Sequence, residues 1–325
     1  MDALQEAPMI ETSGLTCTFG KGSNNVVAVA GVDLSVARGE IVGCVGANGA
    51  GKTTLQRMLS TLLSATAGSA RVAGCDLRRD APGVRRRIGY VSQAGGTNAA
   101  ARVGDELILQ ARLHGLSRAD AELRRSQMLE TFHLTDLRQR VVKDLSGGQR
   151  RRLDIALGLI HAPAVVFLDE PTVGLDPGSR ADLWNHVRAL KQERGATIFL
   201  TTHYLEEADA LCDRLLVMDR GSIVAQGTPA ALKREVGGDV ITICVEGAPE
   251  RAEQVLRAQA GVRVVLIRSS ELKVSVDCGK TRASALMRAL DSAGFTVSAF
   301  HISGPTLEEA FSFVTGASLP PANAA

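Results

Sequence analysis

Residues Gly46 to Thr53 read Gly-Ala-Asn-Gly-Ala-Gly-Lys-Thr, a glycine-rich turn followed by one lysine and one hydroxyl. In Gly46, Ala47, Asn48, Gly49, Ala50 and Gly51 the backbone N–H groups can turn inward, and at the start of a helix they cradle phosphate. Lys52 is placed to reach the β- and γ-phosphates of a nucleoside triphosphate. Thr53 is placed to set its hydroxyl on Mg²⁺, which offsets phosphate charge before a nucleophile approaches. A plain glycine-rich turn is the alternative reading, and the strand-loop-helix context speaks against it.

Val165 to Leu168 is an apolar run that ends in Asp169-Glu170. Two carboxylates at the tip of a buried strand face the bound phosphate in a doubly wound sheet. Asp169 is the expected Mg²⁺ ligand, partly through water, and Glu170, the extra carboxylate, is the expected general base for attacking water. Helix capping or charge pairing is the plainer role for Glu170. Ser146-Gly147-Gly148-Gln149 has two compatible readings: Ser146 caps the helix that follows, and the same exposed helix start is an anion site for the γ-phosphate held by a second copy of the chain. Gln93 follows the apolar run Ile88 to Val91, at the joint between core and a flexible stretch; alone it reads as a turn residue. His203 follows Phe199 to Thr202 at another strand end, and is read here as a γ-phosphate contact rather than a core histidine. Phe19, just before Gly20-Lys21-Gly22, either stacks on a base or fills core.

The elements that must position these groups follow from periodicity. Ile41 to Val45, Ala164 to Leu168, Thr197 to Thr201 and Leu215 to Met218 are apolar on both faces, as parallel strands covered by helices require, and a helical pattern runs from Lys52 to Leu63. The expected fold class is an α/β core of the phosphate-loop NTPase kind. Residues 94–162 read as a helical insert, through Leu107, Leu109, Leu113, Leu123, Met128, Leu129 and Phe132 and a further helix from Gln149 to Ile160. After Gly237-Gly238 the order β-α-β-β-α-β, ferredoxin-like, is expected for a small α+β domain, followed by a last helix from Leu307 to Val314. The expected division is a flexible N-terminus over residues 1–10, the nucleotide-binding domain over 11–236, an accessory or dimerisation domain over 237–316 and a disordered tail over 317–325.

Composition narrows the partners. The 325 residues suggest two domains; 45% are hydrophobic, 22% charged and only 3% aromatic, too few for stacking on nucleic acid. With 37 basic and 35 acidic residues the formal charge is +2, so no whole-molecule field favours nucleic acid or anionic lipid. Arg85-Arg86-Arg87 reads as a solvated helix face, while Arg150-Arg151-Arg152 has the further option of meeting phosphate or a partner. The six cysteines lack metal-ligand spacing and fit a reducing cytoplasm. No uncharged apolar run approaches about 18 residues, so membrane work would need a separate partner.

Taken together, these residues resemble the ATP-binding subunit of an ABC transporter, over about Leu15 to Gly237. The resemblance makes Phe19 the adenine-stacking aromatic, Gly46 to Thr54 the Walker A loop, and Gln93 the Q-loop residue near Mg²⁺ and the reacting water. It makes Leu145 to Gln149 the signature, Asp169-Glu170 the end of Walker B, Asp176 in Gly174-Leu175-Asp176 the D-loop, and His203 the switch histidine. Thr201 to Asp209, Arg150 to Asp154 and Pro305 to Phe311 are similar to the daunorubicin-resistance type of drug exporter. This implies ATP and Mg²⁺ as cofactors, a homodimer, and a separate integral-membrane permease at whose cytoplasmic side the subunit sits; no nucleic acid is expected. The implied activity is ATP hydrolysis that drives export of a hydrophobic drug or antibiotic. A soluble regulatory ATPase and a C-terminal small-molecule sensor are the competing readings. Residues 94–107 depart from the family pattern, being smaller and less apolar where a permease would be faced.

Overall fold

The computed structural model describes residues 7–20, 25–236, 238–268 and 271–315. Its elements begin with β1 (Ile10–Phe19), β2 (Val26–Val36), β3 (Ile41–Val45), α1 (Lys52–Leu59), β4 (Ala67–Val72), β5 (Cys75–Asp76), α2 (Ala81–Arg87) and β6 (Ile88–Val91). Three helices follow, α3 (Val103–Leu113), α4 (Arg118–Thr131) and α5 (Gly147–Leu159). Next come β7 (Val165–Asp169), α6 (Pro177–Arg194), β8 (Thr197–Thr202), α7 (Leu205–Leu211), β9 (Arg214–Asp219) and β10 (Ser222–Gly227). The remainder is α8 (Pro229–Val236), β11 (Asp239–Val245), α9 (Pro249–Arg257), β12 (Val262–Arg268), β13 (Glu271–Val276), α10 (Gly279–Ser292), β14 (Val297–Ser303) and α11 (Leu307–Thr315).

The central sheet has the order β10-β9-β3-β8-β7-β6, and β3, β6, β7, β8 and β9 pair in parallel. Every residue of β3, β7 and β8 is buried, which is why those runs are apolar on both faces. Register sets Val45 beside Thr202, Asp169 beside Thr201 and Leu168 beside Val91. The chain leaving each of these strands therefore emerges at one edge of the sheet, and there the loops carrying Gly46, His203, Glu170 and Gln93 lie side by side.

A second sheet, β2-β1-β4-β5, is antiparallel and shares its core with the first: Ile10, Leu15, Val29 and Val72 pack in one cluster with Phe167, Phe199 and Leu216. Sequence reasoning did not include this sheet, although Val32, Leu34 and Val36 buried against exposed Asp33 and Ser35 give the alternation of a half-buried strand. Helix α1 ends at Leu59 rather than at the expected Leu63. Thr61 takes a φ of 64°, its N–H donates to Met58 O at 3.0 Å, and Leu62 N–H reaches back to Arg57 O at 2.8 Å, a closed helix terminus. Among the described residues, the stretch from Arg102 to Leu159 holds α3, α4, α5, two short 3-10 turns and a single isolated bridge between Arg102 and Val141.

The chain forms two compact units, Met1–Gln226 and Gly227–Ala325. Helix α8 thus groups with the second unit, where it packs on α11, ten residues earlier than the expected start at 237. Within that unit the antiparallel order β12-β13-β11-β14 is ferredoxin-like, with Ile241, Ile243, Leu256, Leu272, Val274 and Leu286 in its core. Strand β1 begins at Ile10, and Met9 N–H donates to Val36 O at 2.8 Å, so the expected flexible N-terminus is already paired by residue 9. Residues 1–6 and the expected tail, 317–325, lie outside the described residues. No helix among the described residues is long and apolar enough to cross a membrane.

Candidate functional site

The phosphate loop joins β3 to α1. Gly51 caps α1 with a φ of 104°, and a Cβ there would stand 2.3 Å from Ala28 O. Gly51→Ala therefore meets both a strained backbone and a main-chain collision. It should cost about 2–4 kcal/mol of stability and abolish nucleotide binding, as read by a melting curve and titration with a fluorescent ATP analogue. Lys52 is buried; its Nζ donates to Gly46 O at 2.7 Å and Ala47 O at 3.0 Å, so it spans the loop. Burial lowers its pKa, with the nearby Glu170, Cys44 and Asp169 pulling the other way. Ala50 is buried, Asn48 and Gly49 are exposed, and Thr53 and Thr54 are half-buried at the helix start.

Asp169 receives three hydroxyls: Thr53 Oγ1 at 3.1 Å and Thr201 Oγ1 at 2.7 Å on one oxygen, and Tyr90 OH at 3.4 Å on the other. Thr201 and Tyr90 were missed in the sequence, being ordinary strand residues whose role depends on register with β7. The hydroxyl of Thr53 and the carboxylate of Asp169 are hard oxygen ligands brought together at the loop, the donor chemistry Mg²⁺ takes. Gln93 meets the adjacent Glu170 through its side-chain amide. The residues present thus fit the cation that ATP would carry.

Glu170 stands at the next position with a φ of 44°, left-handed for a residue that has a Cβ. Its N–H donates to Thr201 O at 3.0 Å. Gln93 Nε2 donates to Glu170 Oε2 at 3.2 Å, and His203 Nδ1 lies 3.2 Å from Oε1, so three residues from three strand ends meet at one carboxylate. The His203 contact is the main reason that the Glu170 carboxyl sits below its usual range, and Lys52 adds to it. Glu170 is consequently ionised at neutral pH and can accept a proton.

Ser146 caps α5 in a reciprocal box: Gln149 N–H donates to Ser146 Oγ at 3.2 Å, and Ser146 N–H to Gln149 Oε1 at 3.0 Å. The Gln149 side chain is thus engaged at the cap, while Ser146 and Gly147 stay exposed. Gly148 is close to α6, where a Cβ would meet Ser179 Oγ at 2.6 Å. Asp176 caps α6, accepting from Ser179 N at 2.9 Å and Ser179 Oγ at 2.7 Å, on the exposed surface. The ring of Phe19 is 45% exposed, which excludes the core alternative. Arg85, Arg86 and Arg87 are exposed in the last turn of α2, whereas Arg151 is buried.

Residues 29–173 match the family model "ABC transporter", and 227–315 match the C-terminal domain of ATP-binding proteins of the DrrA1-3 type. A daunorubicin resistance ATP-binding protein, DrrA3, of Streptomyces coeruleorubidus is 44% identical over 89% of this chain and 91% of its own length. The chain belongs to the ATP-binding subunits of ABC transporters. It is an ATPase of that family, of the daunorubicin-resistance type. The linearmycin resistance ATP-binding protein LnrL of Bacillus subtilis is 31% identical over 96% of this chain and 99% of its own. Among solved structures, CbiO1 of Clostridium perfringens, part of an ABC transporter complex, superposes with a TM-score of 0.63 at 27% identity, covering 71% of this chain and 95% of that one. As an ABC ATPase the chain binds ATP.

Proposed function

We propose that this ABC ATPase is the energy-converting subunit of a drug or antibiotic exporter. Two copies close over two ATP and Mg²⁺, each nucleotide held by Gly46 to Thr54 and Phe19 of one chain and by Ser146, Gly147, Gly148 and Gln149 of the other, with Asp176 at the seam. Within one chain, Lys52 binds the outer phosphates, Thr53, Asp169 and the Gln93 amide hold the cation, Glu170 takes the proton from the attacking water, and His203 contacts the γ-phosphate while orienting Glu170. Mg²⁺ supplies charge neutralisation of the triphosphate when bound.

The observation that carries this reading is the meeting of Gln93, His203 and Glu170 beside the phosphate loop. Such a trio can activate a water at a γ-phosphate, with Glu170 as the proton acceptor. The exposed cap supports the dimer: Ser146 and Gly147 face solvent at the start of α5, where a helix N-terminus can meet an anion. Export follows from the relatives, which are named for daunorubicin and linearmycin resistance. The subunit then works on the inner face of the membrane, held there by a permease.

The test is to capture a tagged chain from detergent-solubilised membranes of its native cells, and to assay whatever complex is recovered with and without daunorubicin. A co-purified permease whose ATPase activity rises with drug supports export. A chain that hydrolyses ATP but brings down no membrane protein would be the regulatory ATPase instead.

A further inference from the structure

Three carbonyls around the site are held by one side chain that the reaction does not otherwise use. Arg151, on α5 one turn after the signature, is 7% exposed. Its Nε donates to Pro171 O at 2.8 Å, Nη2 to Asp169 O at 3.1 Å and Nη1 to Ser92 O at 2.6 Å. The first two carbonyls bracket Glu170, and the third belongs to the residue before Gln93. One helical turn further along α5, the buried Asp154 accepts the N–H of Gly96 at 3.1 Å, three residues after Gln93. The Q-loop is therefore pinned on both sides of Gln93, and Walker B on both sides of Glu170, by residues of the same helix.

We infer that Arg151 and Asp154 are positioning residues, which lock Glu170 and Gln93 into register with the signature helix of their own chain. The guanidinium is suited to this because its planar fork presents donors in several fixed directions, which a lysine ammonium on a flexible stem does not reproduce. Glu170 gives the clamp a reason: its left-handed backbone costs free energy and persists only where its surroundings hold it. The consequence rests on the dimer reading above. Because Ser146 caps the start of α5, a shift of Gln93 or Glu170 toward a nucleotide in one site is passed by a rigid helix to the Ser146 that serves the other site.

The test uses the full chain with Arg151→Gln, Arg151→Lys and Asp154→Ala. The last removes the Gly96 contact while the three carbonyl partners of Arg151 stay in place. Three quantities are read: ATP affinity, kcat, and hydrogen exchange of peptides covering 46–54, 92–97, 168–172 and 144–150, with and without Mg-ATP. The expected result is near-normal ATP affinity and ATP protection of 46–54, kcat reduced by about 10²-fold in both Arg151 variants, and faster exchange in 92–97 and 168–172. Asp154→Ala should speed exchange in 92–97 alone, with a smaller loss of kcat. Failure of Lys to restore turnover supports the fork geometry. Unchanged exchange in both loops of folded Arg151→Gln, or in 92–97 of Asp154→Ala, overturns the proposal. If ATP leaves 144–150 unprotected even in the unsubstituted chain, the dimer reading fails, while the exchange in 92–97 and 168–172 still decides the clamp.

Discussion

Glu170→Gln binds Mg-ATP as tightly as the parent chain but hydrolyses it about 10²–10⁴-fold more slowly, the usual contribution of a positioned general base. That range corresponds to about 3–5 kcal/mol of transition-state stabilisation. Glutamine has the shape of glutamate, so the contacts to Gln93 and His203 can be kept, and its backbone can hold the same left-handed φ through Thr201 O. What is lost is the proton acceptor. In the parent the carboxyl is an ionised acceptor, held below its usual range chiefly by His203; the amide carries no comparable basicity. Slow turnover with intact binding also traps the ATP-bound state, so the variant should sediment as a dimer with ATP and as a monomer without it. Phosphate release and analytical ultracentrifugation read the two halves separately. Turnover equal to that of the parent would remove Glu170 from the role of base.

Lys52→Ala is expected to act on binding instead. Removing the one buried cation of the loop leaves the outer phosphates without their charged partner, a loss of about 2–5 kcal/mol, or roughly 30-fold to several thousand-fold in Kd. The fold should tolerate the change. Burial already disfavours the charged amine, and its two hydrogen bonds go to carbonyls of the loop itself. Without nucleotide the melting temperature should therefore move little, whereas the rise that ATP confers on the parent should disappear, because stabilisation by a ligand follows its occupancy. Tight ATP binding by Lys52→Ala would contradict the assignment of this loop to the phosphates.

These outcomes depend on residues of differing legibility. The phosphate loop, Asp169-Glu170 and the Ser146 cap can be read from sequence because each is a local pattern: glycines at fixed offsets, an apolar run ending in acid, a capping residue three before a glutamine. The same holds for the β-α-β-β-α-β order of the C-terminal unit, where period-2 runs alternate with helical ones. The antiparallel sheet of β1, β2, β4 and β5 was less legible, since its strands mix polar residues and glycines and are joined across the phosphate loop and α1. Helix α1 stopped four residues early because Thr61 took a left-handed turn, and nothing in threonine announces that.

Gln93 and His203 show the division most clearly. By sequence they were a turn residue and a strand-end histidine that gained meaning only as members of a series. The sheet order β3-β8-β7-β6 makes neighbours of groups separated by more than a hundred residues and brings both onto the Glu170 carboxylate. Arg151 was one arginine among three until its fork was seen to close on Ser92, Asp169 and Pro171. Sequence by itself determined which chemistry this protein carries, because phosphate cradles, carboxylate pairs and caps are built from contiguous residues whose local geometry is short-ranged. Only the tertiary structure decided how those parts act on one another, because strand register and helix packing are cooperative properties of the whole core.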